Sequence, residues 1–341
     1  MLAARLISGY NVEYLDIPVP KTDDNEVLIR LAYMGICGSD MHMYHGKHPY
    51  MTYPVIPGHE MSGVIDKVGS NVEGYKIGDK VLVYPEVVCH NCFSCKTTRH
   101  NVCESLKVMG VHMDGGATRY ISVNPFNLCK APENLDSDLI PLAEPLAVGI
   151  AAVKRSMNYK NANIVVVGAG TIGNFTAQAA KAMGANKVMI TDVKQKKLDY
   201  AKECGIDYCV NTSNESLNDV IIRVFGPDRK ADIIIDCAAN INVFNSIMES
   251  ARKNSTIVFT GNYNSKVEFN VPIIQRQEIN LIGHILYVKD EIYEALEMID
   301  KGAVCIKGFI TQRYTLEEID KAFAFADKNP DEVMKQMVKL N

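Results

Sequence analysis

The sequence predicts an α/β protein of two domains, a β-rich one and a doubly wound parallel sheet. Three observations predict it. The chain has 341 residues, more than one typical hydrophobic core organises. Residues 1 to about 130 carry β-branched runs punctuated by Gly and Pro. From about residue 160, short apolar runs alternate with helical segments, the pattern of a parallel sheet wound on both faces.

The elements follow in order. "EVLIRLAYMGIC" (26–37) and "MSGVIDKVG" (61–69) read as strands that end at or near Gly. "KIGDKVLVYP" (76–85) turns at Gly78-Asp79 and continues as a strand, and Pro54, Pro57 and Pro85 exclude helix nearby. Then "NIVVVG", "GNFTAQAAKAMGA", "KVMITD", "KKLDYAKECG", "YCVN", "SLNDVIIRVFG", "ADIIIDCA", "FNSIMESAR" and "STIVFTG" alternate strand with helix. "DEIYEALEMIDKG" and "TLEEIDKAFAFADKN" read as amphipathic helices of a closing segment. The expected division is 1–150 for the first domain, 151–285 for the second, and 286–341 returning to the first.

Composition excludes several classes. Hydrophobic content of 47% suffices for sizeable cores, and the net charge of −4 comes with no basic stripe. Nucleic-acid binding through phosphate neutralisation is not expected. No run of about 18 apolar residues predicts a membrane span. The first residues lack an apolar leader core, so the ten cysteines point to reduced thiols in a cytoplasm. Cys129, Cys204, Cys209, Cys237 and Cys305 read as small buried apolar residues.

Three motifs carry chemistry. Gly168, Gly170 and Gly173 form G-x-G-x-x-G between a β-branched strand and an Ala-rich helix. The next strand ends in Asp192, nineteen residues after Gly173. That context predicts a dinucleotide: Gly168 makes the turn, Gly170 admits the pyrophosphate, and Gly173 lets helix and strand pack closely. Asp192 is placed to accept hydrogen bonds from the adenosine ribose, which favours NAD over NADP. Second, Cys89, Cys92, Cys95 and Cys103 stand as C-x2-C-x2-C-x7-C. Four thiolates with no open position predict a structural zinc, with His90 and His100 facing solvent. Third, "GICGSDMHMYHG", "PGHEMSG" and "LAEPLAVG" supply Cys37, His59, Glu60 and Glu144. One sulfur, one imidazole and a carboxylate suit a catalytic zinc with an open position.

The order of these motifs resembles the zinc-dependent medium-chain dehydrogenase/reductase family, and the likeness spans the whole chain. It implies a GroES-like catalytic domain followed by a Rossmann domain. It implies two zinc ions per chain, one catalytic at Cys37, His59 and either Glu60 or Glu144, and one structural in the cysteine lobe. Glu144 replaces the second Cys ligand of simple alcohol dehydrogenases, which resembles the polyol, threonine and sugar-acid branch. The resemblance further implies that Asp40 orients the ligand His59, that Ser39 contacts the substrate oxygen, and that a proton relay runs through the cofactor ribose to His42. Thr171 and Ile172 fall in the glycine loop, Lys197 on the adenosine side, and Lys335 at a position that pairs with the pyrophosphate. The implied activity is hydride transfer from a secondary alcohol of a polyol, sugar or sugar acid to NAD; the alternatives are a threonine 3-dehydrogenase or a diol or simple secondary-alcohol dehydrogenase, and outside enzymes a zinc-knuckle binding or regulatory protein. The implied partner is a small-molecule alcohol, and the implied assembly a homotetramer or homodimer. Sorbitol dehydrogenases carry Arg before a Tyr after the last Rossmann strand; Leu286 precedes Tyr287 here.

Overall fold

The structure is a computed structural model that describes residues 1–263, 266–268 and 270–341. The chain forms two compact units. Unit 1 comprises Met1–Glu144, Val288–Lys301 and Lys307–Asn341; unit 2 comprises Pro145–Tyr287 and Gly302–Ile306. Three points differ from the sequence expectation, the smallest being the return to unit 1 at Val288 rather than 286. The crossover falls at Glu144–Pro145 rather than at 150. The short segment 302–306 belongs to unit 2, where the Cys305 N–H donates to Gln178 Oε1 at 2.7 Å. No periodicity marks so short a segment.

Unit 1 is built on a seven-stranded sheet. Its order is Ile310–Thr315, Lys335–Lys339, Val27–Ile36, Glu60–Val68, Lys80–Val83 and Leu128–Lys130, with Tyr120–Val123 also pairing Val27–Ile36. Val27–Ile36 is the spine, antiparallel to three neighbours. Val27, Ile29, Leu31 and Met34 along it are fully buried. The register sets the site: Gly35 faces Glu60 across one ladder, and Ile36 faces Gln336 across the other. Cys37, His59, Glu60 and Lys335 therefore collect at one end of three adjacent strands. Gly35 is required there, because a Cβ would lie 2.0 Å from Glu60 Oε2.

Unit 2 is a six-stranded, wholly parallel sheet in the order Tyr208–Asn211, Lys187–Asp192, Asn163–Val167, Ile233–Asp236, Thr256–Phe259, Asn280–Gly283. All five residues of Asn163–Val167 are buried, as expected of a strand covered on both faces. Chain order reverses between Asn163–Val167 and Ile233–Asp236, the switch point at which such sheets bind ligands. The glycine turn sits there. A Cβ on Gly173 would lie 1.7 Å from the Gly168 carbonyl oxygen. Gly173→Ala should therefore destabilise the protein by about 1–3 kcal/mol, the usual range for overpacking, or by more where backbone cannot yield. Denaturant melting checks this, and an unchanged midpoint would contradict the close packing.

Of the cysteines expected to be buried, Cys129 is fully so; Cys204, Cys209, Cys237 and Cys305 are half-buried. Three of these four sit at or near element ends, where packing is incomplete. Among the described residues, no helix is long and apolar enough to cross a membrane.

Candidate active site and two metal centres

The strand Val27–Ile36 runs directly into a short helix, Gly38–Tyr44. Cys37 is its N-cap, and the Cys37 N–H donates to Asp40 Oδ2 at 2.8 Å. This cap fixes Cys37, Ser39 and Asp40 as one rigid turn. The other Asp40 oxygen faces His59 Nδ1 at 3.6 Å, a charge contact rather than a formed hydrogen bond. Both atoms are buried and without a hydrogen-bond partner. Ser39 Oγ lies 3.4 Å from the opposite ring nitrogen, His59 Nε2. His59 thus has Asp40 on one side and Ser39 on the other. Ligand atoms of Cys37, His59 and Glu60 lie within 4.8 Å of one another, close enough for one metal ion to touch all three.

Charge in this cluster is tightly packed. Burial penalises the His59 imidazolium, but Asp40, Cys37 and Glu144 outweigh it and raise its pKa well above the usual value. Burial raises the Asp40 carboxyl, with His59 pulling the other way. Glu144 is 4% exposed and opens the helix Ala143–Arg155. It acts electrostatically on both His59 and Lys335. A site that concentrates a thiol, two carboxylates and an imidazole in a dry place has the donor chemistry of a zinc centre.

Lys335, the residue expected to pair with the pyrophosphate, meets a carboxylate of the metal cluster. It is buried, 1% exposed, with its ammonium 2.5 and 2.6 Å from the two Glu60 oxygens. It also donates to the Ile36 carbonyl at 3.2 Å. Burial disfavours its charge, but Glu60 and Cys37 outweigh that and raise its pKa. Sequence spacing could not show this, since the partners lie 275 residues apart and meet only through strand order.

The second cluster is the lobe 89–103. Its four sulfurs lie within 4.8 Å of one another, with Cys89 Sγ 3.9 Å from Cys95 Sγ and 3.5 Å from Cys103 Sγ. A tetrahedron with zinc–sulfur bonds of about 2.3 Å has edges of about 3.8 Å, so the donors fit zinc. Backbone N–H groups aim at the sulfurs: Cys92 N to Cys89 Sγ, and Cys89 N and Ser105 N to Cys103 Sγ, each at 3.4 Å. Such donors favour thiolate, and those from Glu104 and Cys95 bring the Cys92 thiol down to about 6. Burial holds Cys95 up at about 12 without a metal. His90 and His100 are not idle: both pack edge-on against Phe126, at 4.6 and 5.4 Å.

Two family models match the chain. The alcohol dehydrogenase GroES-like domain covers residues 23–133, and the zinc-binding dehydrogenase domain covers 171–301. A sorbitol dehydrogenase of Bacillus subtilis is 31% identical over 346 residues, covering 100% of this chain and 98% of the relative. The chain belongs to the zinc-type alcohol dehydrogenase family. An L-galactonate-5-dehydrogenase of Escherichia coli is also 31% identical, over 95% of this chain and 94% of that relative. Among solved structures, a short-chain alcohol dehydrogenase of Escherichia coli in complex with NADH superposes with a TM-score of 0.93 at 28% identity, covering 100% and 99% of the two chains. The fold is thus the GroES-like domain plus Rossmann sheet of zinc-type dehydrogenases, and the chain is an oxidoreductase that uses zinc and a nicotinamide dinucleotide.

In the dehydrogenase's unit 2, Gly168 adopts φ +97° and Gly170 caps the helix Thr171–Ala182. No side chain caps this helix start, and a Cβ on Gly170 would meet nothing within 4 Å. Thr171 and Ile172 form its first turn, which holds no acidic residue. A helix start uncapped by any side chain, space at Gly170 and the positive helix end suit a pyrophosphate. Asp192 is half-buried beside the turn: Oδ2 accepts from the Ala169 N–H at 2.6 Å and Oδ1 from the Lys194 N–H at 2.8 Å. Each oxygen keeps further lone pairs for a ribose. Lys197 is half-buried on the next helix, Gln195–Glu203. His42 lies on the last turn of Gly38–Tyr44, exposed.

Proposed function

We propose that this dehydrogenase oxidises a secondary alcohol of a polyol, sugar or sugar acid to a ketone, with NAD as acceptor. The observation that carries the reading is the Cys37–Ser39–Asp40–His59 arrangement, which sets a hydroxyl beside a soft metal-ligand cluster. Cys37 and His59 hold the catalytic zinc. Either Glu60, whose carboxylate lies within reach of the other two ligands and also holds Lys335, or Glu144 supplies the carboxylate of the set. When bound, zinc supplies a Lewis acid at the alcohol oxygen and NAD supplies the hydride acceptor. The chain's own residues do the rest. Asp40 holds the ring of His59 from its Nδ1 side. Ser39 Oγ is placed to receive the alcohol proton. His42 passes that proton toward solvent, by way of the cofactor ribose; partial desolvation of its ring, His45 and Lys47 lower its pKa. Gly168, Gly170, Thr171, Ile172, Gly173, Asp192 and Lys197 bind the cofactor. The reading includes a cytoplasmic setting, in which ten free thiols persist, and a homotetramer or homodimer.

The relatives named for sorbitol and L-galactonate support this substrate class. The test is NADH formation from alditols, aldonates, diols and threonine, each repeated with NADP. Polyhydroxy substrates should give the highest kcat/KM, with NAD strongly preferred. Threonine as the best substrate would contradict the proposal, and preference for NADP would remove Asp192 from the ribose.

A further inference from the structure

The glycine turn of unit 2 is held by a side chain that its motif does not name. Asn174 follows Gly173 on the helix Thr171–Ala182 and is wholly buried. Its Nδ2 donates to the Ala169 carbonyl at 2.5 Å and reaches the Gly170 carbonyl at 3.4 Å. Two carbonyls on that side fix which end of the amide faces the turn, because only the NH2 end donates. The Gly170 carbonyl already accepts from the Asn174 backbone N–H at 2.9 Å, as in the first turn of a helix. What the side chain adds is the bond to Ala169, five residues back and beyond the helical ladder.

That bond carries a penalty. Asn174 Oδ1 is buried with no hydrogen-bond partner among the described residues. A buried acceptor left unmatched destabilises the fold, and Asn is a poor residue for a helix interior. Phe175 and Ala177, close by on the same helix, are apolar and equally buried. Packing alone would be served better by an apolar side chain. The amide is accounted for by its donor.

The donor fixes a direction. Ala169 is held from both sides: its N–H donates to Asp192 Oδ2 at 2.6 Å, and its carbonyl accepts from Asn174. The Ala169–Gly170 peptide is trans, the one cis bond among the described residues being Tyr53–Pro54. In a planar trans unit the carbonyl and the N–H point in opposite directions. A carbonyl turned toward Asn174 therefore turns the Gly170 N–H away from that buried side chain. Gly170 also has open space, since a Cβ there would meet nothing within 4 Å.

We propose that Asn174 is a positioning residue for the cofactor: it sets the Ala169–Gly170 peptide so that the Gly170 N–H is presented to the pyrophosphate. The proposal rests on the dinucleotide reading of the glycine turn and adds to it a residue outside the G-x-G-x-x-G pattern.

The test compares zinc-loaded wild type, Asn174→Leu and Asn174→Ala. Leu removes the donor and the orphaned acceptor together at similar volume; Ala only removes atoms. Binding of NADH, ADP-ribose and adenosine is measured by calorimetry, with denaturant melting alongside. NADH and ADP-ribose carry the pyrophosphate, whereas adenosine reports the rest of the pocket. Each variant should bind NADH and ADP-ribose about tenfold more weakly, the equivalent of one hydrogen bond to a charged group, and adenosine as the wild type does. In turnover the loss should fall on KM for NAD rather than on kcat, because the pyrophosphate lies away from the transferred hydride. A merely structural Asn174 would weaken all three ligands together, or lower the melting midpoint with every affinity unchanged. Either result overturns the proposal, as does NADH affinity unchanged in both variants or failure of both to fold. A wild type that binds no NADH would overturn the dinucleotide reading itself.

Discussion

Lys335→Met should cost the metal-free protein about 3–5 kcal/mol of stability, the range for removing one partner of a buried ion pair. The reason is what remains. Glu60 is fully buried, and both its oxygens rest on the Lys335 ammonium. Methionine fills similar volume, so little of the loss comes from packing. It arises from a carboxylate with no cation in a dry sheet end. Restoring neutrality with Glu60→Gln in the same chain should recover part of the loss, because the uncompensated charge is then gone. Denaturant unfolding of the two single variants and the double variant measures the coupling. A Lys335→Met loss below about 1 kcal/mol would place the pair among weak surface bridges and contradict its buried geometry.

Metal removal should separate the two centres. A mild chelator should strip the Cys37–His59 site first and abolish turnover, while the fold and NADH binding persist. That site keeps a position open for substrate, so a competing ligand can enter. The four-thiolate site has no open position and backbone donors on its sulfurs. Its zinc should resist, and forcing it out should lower the melting temperature, because the lobe 89–103 has only short helical turns of its own. Zinc content, activity and melting are followed on one sample. Loss of melting temperature before loss of activity would reverse the assignment of the two sites.

The sequence made much of this legible for definite reasons. The glycine turn is readable because Gly168 and Gly173 touch, and no other residue fits at 1.7 Å. The cysteine lobe is readable because its ligands are local. The strand–helix alternation of unit 2 is readable because buried parallel strands are continuous apolar runs, such as Asn163–Val167. Long-range arrangement was not. Helix Gly38–Tyr44 is seven residues long and begins with Gly, so no periodicity announces it, although its Cys37–Asp40 cap was a usable signal. Helix Ala143–Arg155 was read only as an acidic motif, because Pro145 in its first turn resembles a break. The Lys335–Glu60 pair is not legible because it depends on which strand lies beside Lys335–Lys339.

The most direct measurement of the central claim is zinc content and turnover in Cys37→Ala. The wild type should hold two zinc ions per chain, one at each ligand cluster. The variant should keep one, melt as the wild type does, bind NADH, and form no NADH from any alcohol the wild type oxidises. A Cys37→Ala protein that has lost that zinc and still turns over at the wild-type rate would show that the chemistry lies elsewhere.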